Sequence, residues 1–326
     1  MISFIIPVYN VESLLSNTVD SILSQATSDI EILLIDDGST DQSGALCDRL
    51  SAQHSCVRVI HQINSGPSQA RNTGIEASRG DHLFFVDSDD TLADQAFSAM
   101  IQSIKNHPQA DLHVGQVMVL HLNTMMVQQK INYKNFEFFD GLSGRDALIH
   151  MMDRNQFVQS VYSFVISRSL VDSIRLRFNP DWRNFEDFDF TVQAYLSAST
   201  IAIINRPLVM YSRQRCGQIT ESMSLQRISS NVDVTYQWID HCYQQSDSVV
   251  YRTILSFLAH NYLFWLADLR KLPKQDQQQA YQLLEPLQVL LRYVKKSSLR
   301  PFIMVHRSFG FKAMIHAISI AKHFRK

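Results

Sequence analysis

The chain has 326 residues, 45% of them hydrophobic, enough for a sizeable core in one large domain or in a domain with an appendage. Lys and Arg total 30 against 31 Asp and Glu, a net charge of −1, so nothing global points to a nucleic-acid partner. No apolar run reaches the roughly 18 residues that span a bilayer, and Met1-Ile2-Ser3-Phe4 shows neither a basic region nor a cleavage site, so neither a spanning helix nor a signal peptide is expected.

Ile2 to Ile6 is a short apolar run ended by Pro7-Val8-Tyr9-Asn10, the pattern of a buried parallel strand closed by turn residues. Leu15, Val19, Ile22 and Ala26 recur at helical spacing and predict an amphipathic helix over 12–26. A second strand over 30–35 runs into Asp36-Asp37-Gly38-Ser39-Thr40-Asp41. A helix near 42–54 turns Ala45, Leu46 and Leu50 inward, and Val57 to His61 is a short third strand. Gly66-Pro67-Ser68 opens a helix running to about Ser78, since proline suits a first turn. The fourth strand, 82–86, ends at Asp87-Ser88-Asp89-Asp90. Such a βαβαβαβ run demands a parallel sheet with right-handed crossovers.

Further on, 111–139 reads as strands around a hairpin, and 143–153 and 184–197 read as helices. The last of these has Phe185, Phe188 and Tyr195 among its apolar members and Glu186-Asp187 in its first turn. From about residue 220 the chain is helical with Gln and Ser on its outer faces, after a break in composition over 212–224. The expected architecture is α/β: a mostly parallel sheet flanked by helices over 1–217, then a helical region over 218–326. Cys47, Cys56, Cys216 and Cys242 have no CxxC spacing, which suits a reduced, cytoplasmic protein.

Ligands of open α/β sheets bind beyond the carboxyl ends of the strands, so three polar clusters at three such ends describe one site. Tyr9 can offer an aromatic face to a uracil ring, and Asp37 an acceptor for its N3–H; alternatively Asp37 caps a turn. Arg71, in the Gly66 to Asn72 segment, either approaches a diphosphate at the helix N-terminus or braces neighbouring loops with Asn72. Asp87, Asp89 and Asp90 put three carboxylates within four positions, more than one helix cap requires, and hard oxygens of this kind suit Mn²⁺ or Mg²⁺. Asp187 is either a general base or a partner of the helix dipole.

Taken together and in this order, the motifs resemble those of the family 2 glycosyltransferases, which have the GT-A fold. The resemblance rests on Pro7 to Asn10, Asp36 to Asp41, Gly66 to Gly74 with its Ala70-Arg71-Asn72-Thr73-Gly74 core, Asp87 to Asp90, and Glu186-Asp187 with Phe190 just after. It covers residues 1 to about 215. It implies an inverting transfer from a nucleotide-diphospho-sugar, usually a UDP-sugar, to a hydroxyl of a glycan or lipid-linked acceptor, as in bacterial surface-polysaccharide assembly. It also implies that Pro7, Tyr9, Asp36, Asp37, Arg71, Asp87 and Ser88 hold the nucleotide sugar. A divalent ion would sit at Asp87, Asp89 and Asp90, and Asp187, beside Glu186, would be the catalytic base. One departure is Gln218-Ile219-Thr220, where the family often has a serine before the isoleucine. Arg213 and Arg215, after the strand ending near Tyr211, either add charge or close a lid over the donor, or are ordinary surface arginines.

Rival classes fit less well. A sugar nucleotidyltransferase wants a glycine-rich loop after strand one, and Pro7 to Glu12 has no glycine. A non-catalytic nucleotide-sugar binder has no need of both Asp89 and Asp187. An oxidoreductase would carry G-x-G-x-x-G after the first strand. The tail adds a separate expectation. After Glu285 there is no acidic residue, and a helix near 309–326 places Lys312, His316, Ser319, His323 and Lys326 on one stripe, opposite Phe311, Met314, Ile315, Ile318 and Ala321. Such a basic amphipathic helix predicts peripheral contact with the cytoplasmic face of the inner membrane through 300–326; the alternative is an apolar face docked on the protein.

Overall fold

Near-continuous apolar runs, buried on both faces, make the parallel half of the sheet. Strands β1 (Ile2–Val8), β2 (Ile30–Asp36), β3 (Val57–His61) and β4 (His82–Phe85) pair in parallel in the order β3-β2-β1-β4. Helices α1 (Leu15–Leu23), α2 (Ser43–Gln53) and α3 (Pro67–Ala77) connect them. α1 buries Leu15, Val19 and Ile22, the face its spacing predicts. α3 lies so close to β1 that a Cβ on Gly74 would come within 2.3 Å of Ile5 Cγ2. Only glycine permits that approach. These features are observed in a computed structural model, which describes residues 1–26, 30–121, 124–213, 224–245, 249–295 and 300–323.

Beyond β4 the sheet becomes mixed. The elements are β5 (Thr91–Leu92), α4 (Ala96–Asn106), β6 (Leu112–His121), β7 (Met126–Gln129), α5 (Gly144–Asp153), β8 (Phe164–Ser167), α6 (Arg168–Ser173), α7 (Glu186–Ser197) and β9 (Ile201–Arg213). The order continues β4-β8-β6-β9-β5, with β7 paired to β6 as the expected hairpin. β8 runs antiparallel to both β4 and β6, and β5 antiparallel to β9, whereas the long excursion between β6 and β9 returns the chain in parallel. The α/β reading with flanking helices stands, and the parallel pairing belongs to its first four strands and to the β6–β9 pair.

The chain separates into two compact units, Met1–Arg215 and Cys216–Lys326. The second contains α8 (Leu225–Gln244), α9 (Val249–Asp268), α10 (Lys274–Leu284), a 3-10 segment Glu285–Tyr293, and α11 (Arg300–His323), which breaks at Gly310 (φ 82°). Past the break, Phe311, Met314, Ile315 and Ile318 are buried. Phe311 stacks on Tyr262 of α9 at 6.4 Å and meets Tyr281 of α10 edge-on at 5.1 Å. These four residues of the apolar stripe are therefore docked on their own unit. The side chains of Ser319, Ala321, His323 and Lys326 lie outside the described ones. No described helix is long and apolar enough to cross a membrane.

One buried group fixes a pH response of the first unit. His113 on β6 is fully buried, with Nδ1 2.8 Å from Ser103 Oγ of α4 and no hydrogen-bond partner at Nε2 among the described residues. Burial, reinforced by His82 and His107, pushes its pKa from 6.5 down to about 4. The unfolded chain therefore binds a proton that the folded one refuses, and stability falls as pH drops from 6.5 towards 4. The loss attributable to this histidine is on the order of 3 kcal/mol. Urea titrations at neutral and mildly acidic pH should show it, and His113→Asn should flatten the dependence; an unchanged slope in that variant would place the acid sensitivity elsewhere.

Candidate active site

The tips of β1 and β2 are laced together by short polar side chains. Asn10, at φ 52°, accepts from Thr40 N–H at 2.8 Å, while Ser39 Oγ accepts from Asn10 N–H at 3.2 Å. Ser43 Oγ accepts from Val11 N–H at 2.8 Å. Pro7 lies inside β1, level with Ile35 of β2. Tyr9 remains 48% exposed, so the lacing leaves an aromatic face open at the sheet edge.

The two aspartates of the second tip are separated in role. Asp36 accepts from Ser39 N–H at 3.1 Å and lies 2.8 Å from His61 Nδ1; His61 Nε2 reaches Asp48 at 3.0 Å. Burial works against its charge, but the bonds from Ser39 and His61 hold Asp36 below the usual carboxylate range. His61 is raised in turn by Asp36 and then Asp48. Asp37 instead clamps the loop entering α3. Its carboxylate accepts from Gln62 Nε2 (2.7 Å), Ser65 N–H (2.8 Å) and Gly66 N–H (2.8 Å). Gly66 turns there with φ 88°, a conformation that favours glycine.

Arg71 sits on the next turn of α3 with its side chain buried. Nη2 donates to Asp87 at 2.9 Å, Nη1 donates to Glu186 at 3.0 Å, and Nη1 lies 3.3 Å from Asp187 Oδ1. Its guanidinium also lies 5.3 Å from the Phe178 ring centre. Burial opposes the charge, and Asp187, Asp87 and Glu186 more than restore it. Asn72 fixes the segment before α7 by donating to Phe178 C=O (2.8 Å) and accepting from Phe178 N–H (2.9 Å); Ser68 donates to Trp182 C=O at 3.0 Å. Of the two roles open to Arg71 and Asn72, bracing is the one seen. The braced parts are the acidic turn and the Glu-Asp pair.

The acidic turn closes on itself through Asp90 N–H to Asp87 C=O at 3.0 Å. Ser88 is buried, and its carbonyl accepts from Thr18 Oγ1 at 3.0 Å. Asp90 is fully buried; Oδ1 accepts from Ser212 N–H of β9 at 2.9 Å, and Oδ2 has no hydrogen-bond partner among the described residues. Burial, with Asp87 beside it, raises the Asp90 carboxyl well above its ordinary range. Asp87, Asp89 and Asp90 each present an oxygen, all within 4.8 Å of one another. Across the cleft, burial pushes Asp187 up to about 7, Arg71 opposing and Glu186 and Asp87 adding to it. Phe185, which precedes the pair, sits in the left-handed region at φ 69°, stacked on Phe188 at 4.6 Å.

Sequence reasoning did not find Lys130. It follows β7, and its ammonium donates to Tyr162 OH at 2.7 Å and Ser160 Oγ at 3.1 Å. It lies over the rings of Tyr162 and Tyr211 at 4.8 and 5.1 Å. No motif marks a lysine at the end of a hairpin, so nothing in the sequence could have singled it out. Arg213 is exposed, 5.8 Å from the Tyr211 ring centre. Arg215 and Gln218-Ile219-Thr220 lie outside the described residues.

With this geometry in hand, the comparisons are decisive on family. The sequence model described as Glycosyl transferase family 2 matches residues 3–174. The chain belongs to glycosyltransferase family 2. This family 2 glycosyltransferase is 30% identical to the glycosyltransferase EpsJ of Bacillus subtilis over 237 residues, covering 73% of this chain and 68% of that protein. It is 32% identical to the glycosyltransferase GlyG of Streptococcus pneumoniae over 239 residues, covering 67% and 72%. Its fold resembles a crystal structure of S. aureus TarS 1–349 in complex with UDP-GlcNAc, with a TM-score of 0.75 at 17% identity, covering all of this chain and 92% of that one.

In this family 2 glycosyltransferase, the acidic turn is a hard-oxygen donor set with one buried carboxylate oxygen, Asp90 Oδ2, lacking a hydrogen bond. Such a set fits Mn²⁺ or Mg²⁺. Arg71 is the cation that the turn and the Glu-Asp pair share. Arg71→Met leaves three carboxylates without it and should lower unfolding free energy by roughly 3–5 kcal/mol in urea titration. A loss under about 1 kcal/mol, the level of an exposed pair, would mean that the carboxylates do not depend on it.

Proposed function

We propose that this enzyme transfers a sugar from a UDP-sugar to a hydroxyl of a glycan or lipid-linked acceptor in polysaccharide synthesis, with inversion at the anomeric carbon. The observation that carries this reading is the shared contact of Arg71 with Asp87 and with Glu186-Asp187, which holds the phosphate end and the base end of one cleft a guanidinium apart. The UDP-GlcNAc in the TarS complex supports a UDP-sugar as the donor class. The base would stack on the open face of Tyr9, with Asp37 holding the loop beneath it.

Asp187 takes the proton of the acceptor hydroxyl as that oxygen bonds to the anomeric carbon, while the bond from that carbon to the diphosphate oxygen breaks and UDP leaves. Direct attack of this kind is a single displacement, which inverts the centre. Asp87, Asp89 and Asp90 would hold a divalent ion, which would supply Lewis-acid stabilisation of the charge on the departing diphosphate. A base works best with a pKa near the working pH, and burial brings Asp187 to about 7.

Three outcomes are expected. Asp187→Asn should abolish transfer while leaving the affinity for UDP nearly unchanged, as measured by calorimetry and by UDP release; equal losses of both would remove Asp187 from the base role. In the unaltered enzyme the rate should rise with pH through about 7 and level off above it, because only the ionised carboxylate accepts a proton. Asp89→Ala should remove the dependence of activity on added Mn²⁺ or Mg²⁺ along with most of the activity, and full metal-dependent turnover in that variant would move the ion elsewhere.

A further inference from the structure

Lys130 is placed with more care than a structural lysine needs. A lysine ammonium has three N–H donors. Two go to Tyr162 OH and Ser160 Oγ, and the third has no protein partner among the described residues. The ammonium also lies over the Tyr162 and Tyr211 rings, 4.8 and 5.1 Å from their centres, and those rings stack with 17° between their planes and 6.0 Å between centres. The ammonium is thus fixed in direction.

Its surroundings locate it within the cleft. Ser160 and Tyr162 flank Val161, whose N–H donates to Asp187. Tyr211 precedes Ser212, whose N–H donates to Asp90. Lys130 therefore stands between the groups that hold the base and those that hold the acidic turn. Asp187 and Asp90 are the two charges that act on it most strongly, with Asp87 also attractive. Each presents an oxygen without a hydrogen bond among the described residues, Asp187 Oδ1 and Asp90 Oδ2. A donor whose diphosphate lies on the acidic turn and whose anomeric carbon faces Asp187 must lay its sugar ring across that interval.

We propose that Lys130 binds the sugar being transferred, its third N–H donating to a sugar hydroxyl while Tyr162 and Ser160 hold the ammonium in place. This rests on the UDP-sugar reading above. It makes Lys130 a determinant of which sugar is accepted. Hydrogen bonds from a charged donor discriminate more strongly than neutral ones, and a sugar lacking the right hydroxyl leaves the ammonium desolvated and unpaired.

The test compares UDP with UDP-glucose, UDP-galactose and UDP-N-acetylglucosamine by calorimetry, using the full chain, Lys130→Met and Tyr162→Phe. For the sugar nucleotide that the unaltered chain binds best, Lys130→Met should weaken binding by about tenfold or more while the affinity for UDP stays within about twofold. Tyr162→Phe keeps the amine and loses one orienting acceptor, so it should shift the same ligand in the same direction by less. It also serves should Lys130→Met fail to fold. Equal affinity of variants and unaltered chain for the sugar nucleotide, or parallel losses for UDP and sugar nucleotide, would overturn the assignment. No binding of UDP by the unaltered chain would remove the parent reading and this one with it.

Discussion

Burying a guanidinium costs several kcal/mol unless it meets anions in good geometry, and the whole site is organised around meeting that demand at Arg71. Its planar fork of donors can serve several carboxylates at once. Here it serves Asp87, 16 residues away in sequence, and Glu186, 115 residues away, with Asp187 beside them. Three carboxylates brought together without it would repel one another. The constraint runs both ways: the cation requires the cleft to be acidic, and the acidic cleft requires the cation.

The surrounding scaffold exists to place that one side chain. Gly74 lets α3 settle on Ile5 of β1, and Asp37 clamps the loop from which α3 starts. From the same helix, Asn72 and Ser68 take hold of Phe178 and Trp182, so the segment leading to α7 is registered against α3 before the acidic pair begins. Phe185 then adopts a left-handed conformation that costs a non-glycine residue on the order of 1–3 kcal/mol. Its stacking on Phe188 and its burial hold it there. Strain of this size next to the reacting groups is the local cost of aiming Glu186 and Asp187 at Arg71.

What the sequence revealed follows from the range of the forces involved. The first four strands and three helices were legible because each is set by a run of neighbours, and their polar ends were legible because strand tips in a parallel sheet share an edge. Asp37 shows the limit of that reasoning. The pattern marked it as important, but the loop it clamps, 62–66, could be found only in three dimensions. Lys130, Tyr162 and Tyr211 come from a hairpin, a 3-10 turn and a late strand, in the mixed half of the sheet, and no local pattern joins them. The terminal helix shows another limit. Its amphipathic spacing was read correctly, but spacing does not say what covers an apolar face, and Tyr262 and Tyr281 cover this one around Phe311.

The same geometry divides labour within the Glu186-Asp187 pair. Both residues belong to the first turn of α7, and a helix dipole favours either as an anion there. Arg71 breaks the tie. Its Nη1 donates a hydrogen bond to Glu186 at 3.0 Å, whereas Asp187 Oδ1 stands at 3.3 Å within ion-pair distance but without a hydrogen bond. Glu186 is the one hydrogen-bonded to the guanidinium, whereas Asp187, buried beside it, keeps Oδ1 free of hydrogen bonds among the described residues, and burial lifts its carboxyl to about 7. Adjacent carboxyls pushed into different environments take different parts in a reaction. On the proposed mechanism Glu186 is then the anchor and Asp187 the base, a distinction made by a few tenths of an ångström at one guanidinium nitrogen.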